Sequence, residues 1–453
     1  MFAPRKLFLL LAVLYALLVV YGSLVPFDFR AFPLEDALRR FAQIRYLQLG
    51  VESRADWVAN ILLYVPLAFL ALGGLSSDRA LLRALAAPLV LVTCVAISIA
   101  IEFTQQFFPP RTVSLNDLLA ESMGSVLGIL LWWASGGKVR LLVVSLLAKE
   151  KNATYAGLIL YSVAYLAFSM FPYDFLISTE EIRAKLAGPF FHWLPSRSAC
   201  GGSLRCGAKL AAEAAAVAPL GLLLVFAAVE RSGALLRRAA LFGFGLGLLI
   251  ETLQLFLVSG ATLGASVLTR VAGVVAGAAA GELLSRTSLW PLLYLLRPFM
   301  PLAGAVYVLL LALLVSTGKG PLLGAAQGLR RLTEIRFMPF YYHYYTTESA
   351  AMASLFGAAS MFLPVGILFW IWRVTHMREF IGRGALGAAV WGGAVAVCLE
   401  TLKLFLEAAR PDPTNVLIGS LAAAAGFLGT SLCTRTSLNL VLPDANTPAH
   451  ASD

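Results

Sequence analysis

The stretch Ile97-Ser-Ile-Ala-Ile-Glu102-Phe-Thr-Gln105 decides how this chain is read. It is an apolar run closed by a glutamate and a glutamine three residues apart, so a helix places both on one face. The same ending recurs as Leu246-Gly-Leu-Leu-Ile-Glu251-Thr-Leu-Gln254 and as Val395-Ala-Val-Cys-Leu-Glu400-Thr-Leu-Lys403, each 149 residues after the one before. Gly128, Gly277 and Gly426 keep the same two steps. Prolines inside apolar runs, Pro66, Pro219 and Pro364, follow suit. Upstream, Ser23-Leu-Val-Pro26-Phe-Asp28-Phe29 returns as Ser169-Met-Phe-Pro172-Tyr-Asp174-Phe175. A period of this kind predicts a triplicated unit.

Working outward, each unit is rich in spans. A bilayer crossing takes about 20 mostly apolar residues. Twelve stretches approach that length, near 7–24, 57–76, 84–107, 115–134, 154–171, 210–229, 236–258, 262–284, 301–317, 348–372, 385–407 and 412–433. Backbone groups in lipid must be satisfied within the segment, so these are expected to be helices. The fold class expected is an all-α polytopic membrane protein, about twelve transmembrane helices as three repeats of four, with surface helices in the outer loops. The apolar stretches 139–148 and 288–296 are too short to cross and read as surface helices. The Arg5-Lys6 start followed by Leu7–Tyr21 resembles a signal peptide, but its recurrence inside the chain argues for a retained span.

Composition agrees. Of the 453 residues 59% are hydrophobic and 13% charged, with a mean hydropathy of +0.81. Soluble domains carry about half apolar and a quarter charged residues, so a soluble enzyme is excluded as the main body. The net charge of +10 in a soluble protein would suggest nucleic acid. Here no nucleic-acid partner is expected, and the charge reads as loop anchoring against anionic membrane lipids. Basic residues gather in the segments that an inside N-terminus makes cytoplasmic, while the short outer connections hold only Arg111 and Arg410. The expected location is therefore the bacterial cytoplasmic (inner) membrane, multi-pass, with both termini cytoplasmic.

The expected divisions are 1–137, 138–286 and 287–436, with a disordered tail over 437–453. Each long outer loop promises a surface helix. Leu34, Leu38, Phe41 and Ile44 form one stripe, Ser178 and Glu181 form a capping box, and Leu322, Leu329, Leu332 and Ile335 share a face. The aromatic run Phe337–Tyr345 suits a lipid–water boundary, with carbohydrate stacking as the alternative. Cys200 and Cys206 lie in a polar loop where a local disulfide is possible in an oxidising compartment. The four histidines share no metal spacing, and no nucleotide-binding loop occurs, so neither metal nor cofactor is expected.

Polar groups inside a membrane are costly and ask for a reason. Unit one concentrates them: Asn60 opening the second helix, Glu102 and Gln105 on the third, Arg111 in the next loop, Asp117 and Glu121 on the fourth, and Asp28 just past the first. Together they would grip a polar headgroup or pass protons. The competing reading is interhelical glue, with Asp117 acting as a helix cap. The equivalents Glu251 and Gln254, then Glu400 and Lys403, erode unequally, and Lys403 is placed to pair with Glu400.

Asn60-Ile-Leu-Leu-Tyr-Val-Pro66-Leu, Ile-Glu102-Phe-Thr-Gln105, Arg111 and the Asp117, Gly124, Gly128 spacing together resemble the VanZ-like family. The likeness is best over 23–134 and fainter over the other two units, where Pro219-Leu-Gly221 and Pro364-Val-Gly366 echo it. Unit one departs at Glu121, where the family commonly has Asn, and at Ala68, where it has Gly. The resemblance implies a bacterial membrane protein. It also implies a link to glycopeptide (teicoplanin) susceptibility, without a defined activity.

The leading expectation is a non-enzymatic protein that binds or handles an envelope lipid or lipid-linked glycan at the outer leaflet. Its candidate ligands are Asn60, Glu102, Gln105, Arg111, Asp117 and Glu121. One alternative is an intramembrane transferase acting on a polyprenyl-linked donor, with Asp28 as catalytic candidate. The other is a proton-coupled transporter working through Glu102.

Overall fold

A computed structural model describes residues 4–46, 51–75, 80–109, 111–148, 153–176, 178–188, 191–192, 203–228, 234–260, 262–286, 290–377 and 384–438. Contacts divide the chain into two compact units, Met1–Ala279 and Ala280–Asp453.

In the first unit the long helices are α1 (Pro4–Leu24), α3 (Val51–Leu75), α4 (Ala80–Gln105) and α5 (Leu115–Ala148), with the short amphipathic α2 (Leu34–Ala42) in the first loop. Then come α6 (Ala153–Ser169), the surface helix α7 (Thr179–Ala187), α8 (Ser203–Ala227), α9 (Leu235–Gln254) and α10 (Gly264–Arg286). Two residues of parallel strand, β1 (Phe191–His192) and β2 (Thr262–Leu263), pair in this unit. The second unit holds α11 (Trp290–Leu296), α12 (Met300–Ser316), the surface helix α13 (Ala325–Glu334), the single turn α14 (Tyr341–Tyr344), α15 (Glu348–Met377), α16 (Gly384–Leu404) and α17 (Thr414–Leu438).

Among the described residues ten helices are long and apolar enough to cross a membrane, where the sequence led us to expect twelve. The two that fall short do so for visible reasons. Thr154–Ser169 is apolar but short, and α9 carries Arg237, Arg238 and Glu251 within its 20 residues. A second difference concerns 139–148, read as a separate surface helix. It is instead the end of the 34-residue α5. No proline interrupts that stretch, and Gly136 packs on the Trp132 ring, so nothing breaks the hydrogen-bond ladder. The tail expected over 437–453 lies outside the described residues from 439 onward, and residues 437 and 438 close α17.

The helices turn large apolar side chains outward as a lipid-facing surface does. Leu17 of α1, Leu141 of α5 and Leu386 of α16 are mostly exposed, whereas the inward faces bury Val19, Tyr64, Val90 and Ile129 in one core and Phe362, Ala396 and Ala423 in another. Apolar side chains gain nothing by leaving lipid for one another, so close packing has to hold the bundles together. Small residues permit it. A β-carbon at Gly128 would overlap the Val65 carbonyl oxygen, at Gly277 that of Ala218, and at Gly426 that of Leu363. In all three places the carbonyl belongs to the residue before the helix proline.

The surface helices form where expected. Ser178 and Glu181 complete the capping box of α7, with the Ser178 hydroxyl accepting from the Glu181 amide at 3.1 Å and the Glu181 carboxylate from the Ser178 amide at 3.3 Å. In α2, Leu34 and Leu38 stay exposed. Leu322, placed on the α13 stripe from sequence, falls outside that helix and bridges to Leu406.

Candidate functional site

Three helices assemble the polar cluster of the first unit. Asn60 and Tyr64 lie one turn apart on α3, Ser98, Glu102 and Gln105 on one face of α4, and Asp117 and Glu121 one turn apart on α5. Ser114 caps α5, accepting from the Asp117 amide at 3.2 Å, and its hydroxyl donates to Asp117 Oδ2 at 2.6 Å. Asn60 Nδ2 donates to Asp117 Oδ1 at 2.7 Å. The Ser98 hydroxyl donates to Glu121 Oε2.

Gln105 and Arg111 serve the neighbouring turn. Gln105 Nε2 donates to the Ser23 carbonyl at 2.9 Å, and Arg111 donates from Nε to Val25 O at 2.7 Å and from Nη2 to Gly22 O at 2.6 Å. The turn so held runs through Phe27, whose φ of 61° is rare for an aromatic residue, to Phe29, whose amide returns to the Phe27 carbonyl. Arg30 N then bonds Phe107 O at 2.8 Å. Phe27, Asp28, Phe29, Arg30 and Pro109 line a groove of about 710 Å³. An acid, a base and two aromatic rings therefore meet at one opening.

Beneath it the chemistry changes. Glu102 and Glu121 are each 2% exposed, and among the described residues neither has an ion-pair partner. Glu102 accepts a backbone hydrogen bond from Ser114, feels Asp117 and Glu121 as like charges, and is attracted by Arg111 at longer range. Its Oε2 atom is buried and meets no hydrogen-bond partner among the described residues, and the Tyr64 hydroxyl lies beside Ser98 and Glu121.

The equivalent glutamates are settled differently. Glu251 accepts from Leu263 N at 2.8 Å and pairs with Arg270 at 2.6 Å, a guanidinium 3% exposed that also approaches Glu213 at 3.8 Å and the Tyr165 hydroxyl at 3.2 Å. Glu400 accepts from Asp412 N at 2.7 Å and from Asn415 Nδ2 at 2.8 Å, and pairs with Lys403 at 2.6 Å, as expected from sequence. Gln254 repeats the structural bond of Gln105, donating to Ser169 O at 3.0 Å. Asp174 is a cap, accepting from Ser259 N at 2.8 Å and from its hydroxyl at 3.0 Å. At the matching sequence position in the first unit stands Pro110, which has no amide hydrogen.

Sequence reading missed Ser98, Tyr64 and Ser114. Ser98 lies one turn before Glu102, and Tyr64 one turn after Asn60, so extending each polar face by four residues finds them. It also missed the double hydrogen bond from Arg54 Nη1 to both Glu181 oxygens, 3.0 and 3.1 Å, which ties α7 to α3. Cys200 lies outside the described residues, while Cys206 is in α8. No group of three His, Cys, Asp or Glu that could hold a metal ion occurs among the described residues.

Against known proteins, residues 8–137 match the VanZ/LLP1 family model. No curated protein and no solved structure matches the chain. The chain is thus a multi-pass membrane protein, similar over residues 8–137 to the VanZ/LLP1 family.

Proposed function

We propose that the chain is three VanZ-like units in tandem, and that the first binds the polar head of an envelope lipid or lipid-linked glycan at the outer leaflet. Support for the tandem reading comes from shared local geometry. The amide-to-glutamate bond spans twelve residues at Glu251 and Glu400 alike, and Ser114 supplies the counterpart at Glu102. The bond from Arg30 N to Phe107 O recurs as Leu176 N to Phe256 O and as Leu323 N to Phe405 O, 2.7–2.8 Å each.

The observation that carries the binding reading is the groove at Asp28 and Arg30. Phosphate and sugar hydroxyls are the groups an arginine and a carboxylate recognise together, and flanking aromatic rings suit a sugar face or the lipid boundary. Gln105 and Arg111 keep the turn in shape from below. Both termini then face the cytoplasm, and a link to glycopeptide susceptibility would follow from occupancy of a cell-wall lipid precursor.

A photoactivatable lipid analogue in the membrane tests it. Labelling of the 22–30 turn should fall at least fivefold in Asp28→Asn and in Arg30→Ala, and equal labelling in both variants refutes the groove as the site.

A further inference from the structure

Glu102 and Glu251 are buried and Glu400 is part-buried, and beside two of these three equivalent glutamates the chain itself supplies the positive charge. Arg270 answers Glu251 from the fourth helix of its unit, at the position of Glu121, and Lys403 answers Glu400 from the position of Gln105. In the first unit both positions lack a cation, and the fourth helix offers another carboxyl instead. The groups around Glu102 can be named element by element. Tyr64 faces it from α3, where Asn60 holds Asp117, Ser98 belongs to its own helix, Asp117 and Glu121 come from α5, and Ser114 and Arg111 from the loop between. Arg111 is the sole base among them, and its guanidinium is engaged with the Val25 and Gly22 carbonyls. Among the described residues the fully buried Glu102 Oε2 has no hydrogen-bond partner, and the Tyr64 hydroxyl lies beside Ser98 and Glu121.

Buried carboxyls this close do not stay charged without a compensating cation. Oxygen donors alone suit a hard ion, and the lack of a three-acid metal set among the described residues argues against a divalent one. We propose that the region between Glu102, Glu121, Ser98 and Tyr64 is a binding site for a small monovalent cation, proton or sodium. That ion takes the place filled by Arg270 and Lys403 in the other units. The site lies below the groove and does not depend on the headgroup reading, because its occupant is an ion and its test needs no lipid ligand.

Dicyclohexylcarbodiimide provides the test, since it modifies protonated carboxyls in apolar surroundings. The full chain is purified in detergent, treated across a pH series with sodium chloride or choline chloride, and the adducts at Glu102, Glu251 and Glu400 are read by peptide mass spectrometry. Glu102 should be labelled at least tenfold more than the two paired glutamates, and labelling should fall as pH rises. Suppression by sodium but not choline at fixed pH identifies sodium, and pH dependence without a sodium effect identifies the proton. Glu121→Arg, which builds in the cation of the second unit, should bring Glu102 down to the level of Glu251. Where that variant fails to fold, the comparison of the three glutamates within the wild-type chain decides. Labelling of Glu102 no greater than that of Glu251, or indifferent to both pH and sodium, overturns the proposal.

Discussion

Replacing Arg270 by methionine removes the built-in cation beside Glu251 while keeping an unbranched side chain of similar length. The guanidinium is 3% exposed, 2.6 Å from Glu251 and 3.8 Å from Glu213. Unit charges about 4 Å apart attract by roughly 4 kcal/mol at an effective dielectric of about 20. Breaking a buried pair from one side costs about 3–5 kcal/mol, because the remaining charge loses its compensation. A loss of about 3 kcal/mol is expected, a change of roughly a hundredfold in the folding constant. The double variant Arg270→Met/Glu251→Gln should recover most of it. A neutral amide oxygen still accepts from Leu263 N, and Glu213 keeps Lys209 at 3.9 Å. The assay is reversible unfolding in mixed detergent micelles, followed by near-ultraviolet circular dichroism, for the wild type, both single variants and the double. A loss below about 1 kcal/mol for Arg270→Met, or a double variant no more stable than the single, would show that the pair is not what neutralises Glu251.

Three further outcomes are expected. Gly277→Leu should destabilise the second bundle by about 1–3 kcal/mol in the same assay, because its β-carbon overlaps the Ala218 carbonyl, whereas the same change at Gly245, with open space around it, should be near neutral. Burial pushes the Lys185 ammonium below its usual 10.5, with Asp174 pulling it partly back. The unfolded chain then binds more protons than the folded one just below pH 10.5, so stability should rise with pH through that window in the wild type and lose this slope in Lys185→Met, read as melting temperature. Peptide mapping without reductant should recover Cys200 and Cys206 in one linked peptide, and alkylation of both without prior reduction would remove the expected disulfide.

Much of the architecture was legible because it follows from periodicity. The apolar runs announce helices, and the recurrence of Glu102, Glu251 and Glu400 at equal steps is itself a fact of the sequence. The surface helix at Ser178 could be read from two residues, since a capping box is a local device. The number of spans was less legible. Length and charge along α6 and α9 sit near the limits of what a bilayer accepts, and the run after Ser135 simply continued as helix. The site was half legible. Gln105 and Arg111 have the chemistry of ligands, yet both spend their donors on backbone carbonyls of the 22–30 turn. Nothing in their spacing could reveal that, because the acceptors lie more than 80 residues away in the chain.

The sequence by itself determined that this is a helical, multi-pass membrane protein, since that property resides in the order and composition of its apolar runs. It also determined which positions carry carboxyls. The Lys403–Glu400 pair is local, three residues apart on one helix, and could be read from sequence. Tertiary structure decided the other two: Arg270 reaches Glu251 because their helices set them at hydrogen-bond distance. Glu102 is left facing Glu121, Asp117 and Tyr64 because packing brings three helices together there without delivering a base to its Oε2. Charge compensation depends on distances of a few ångströms between helices, and a linear pattern does not contain them.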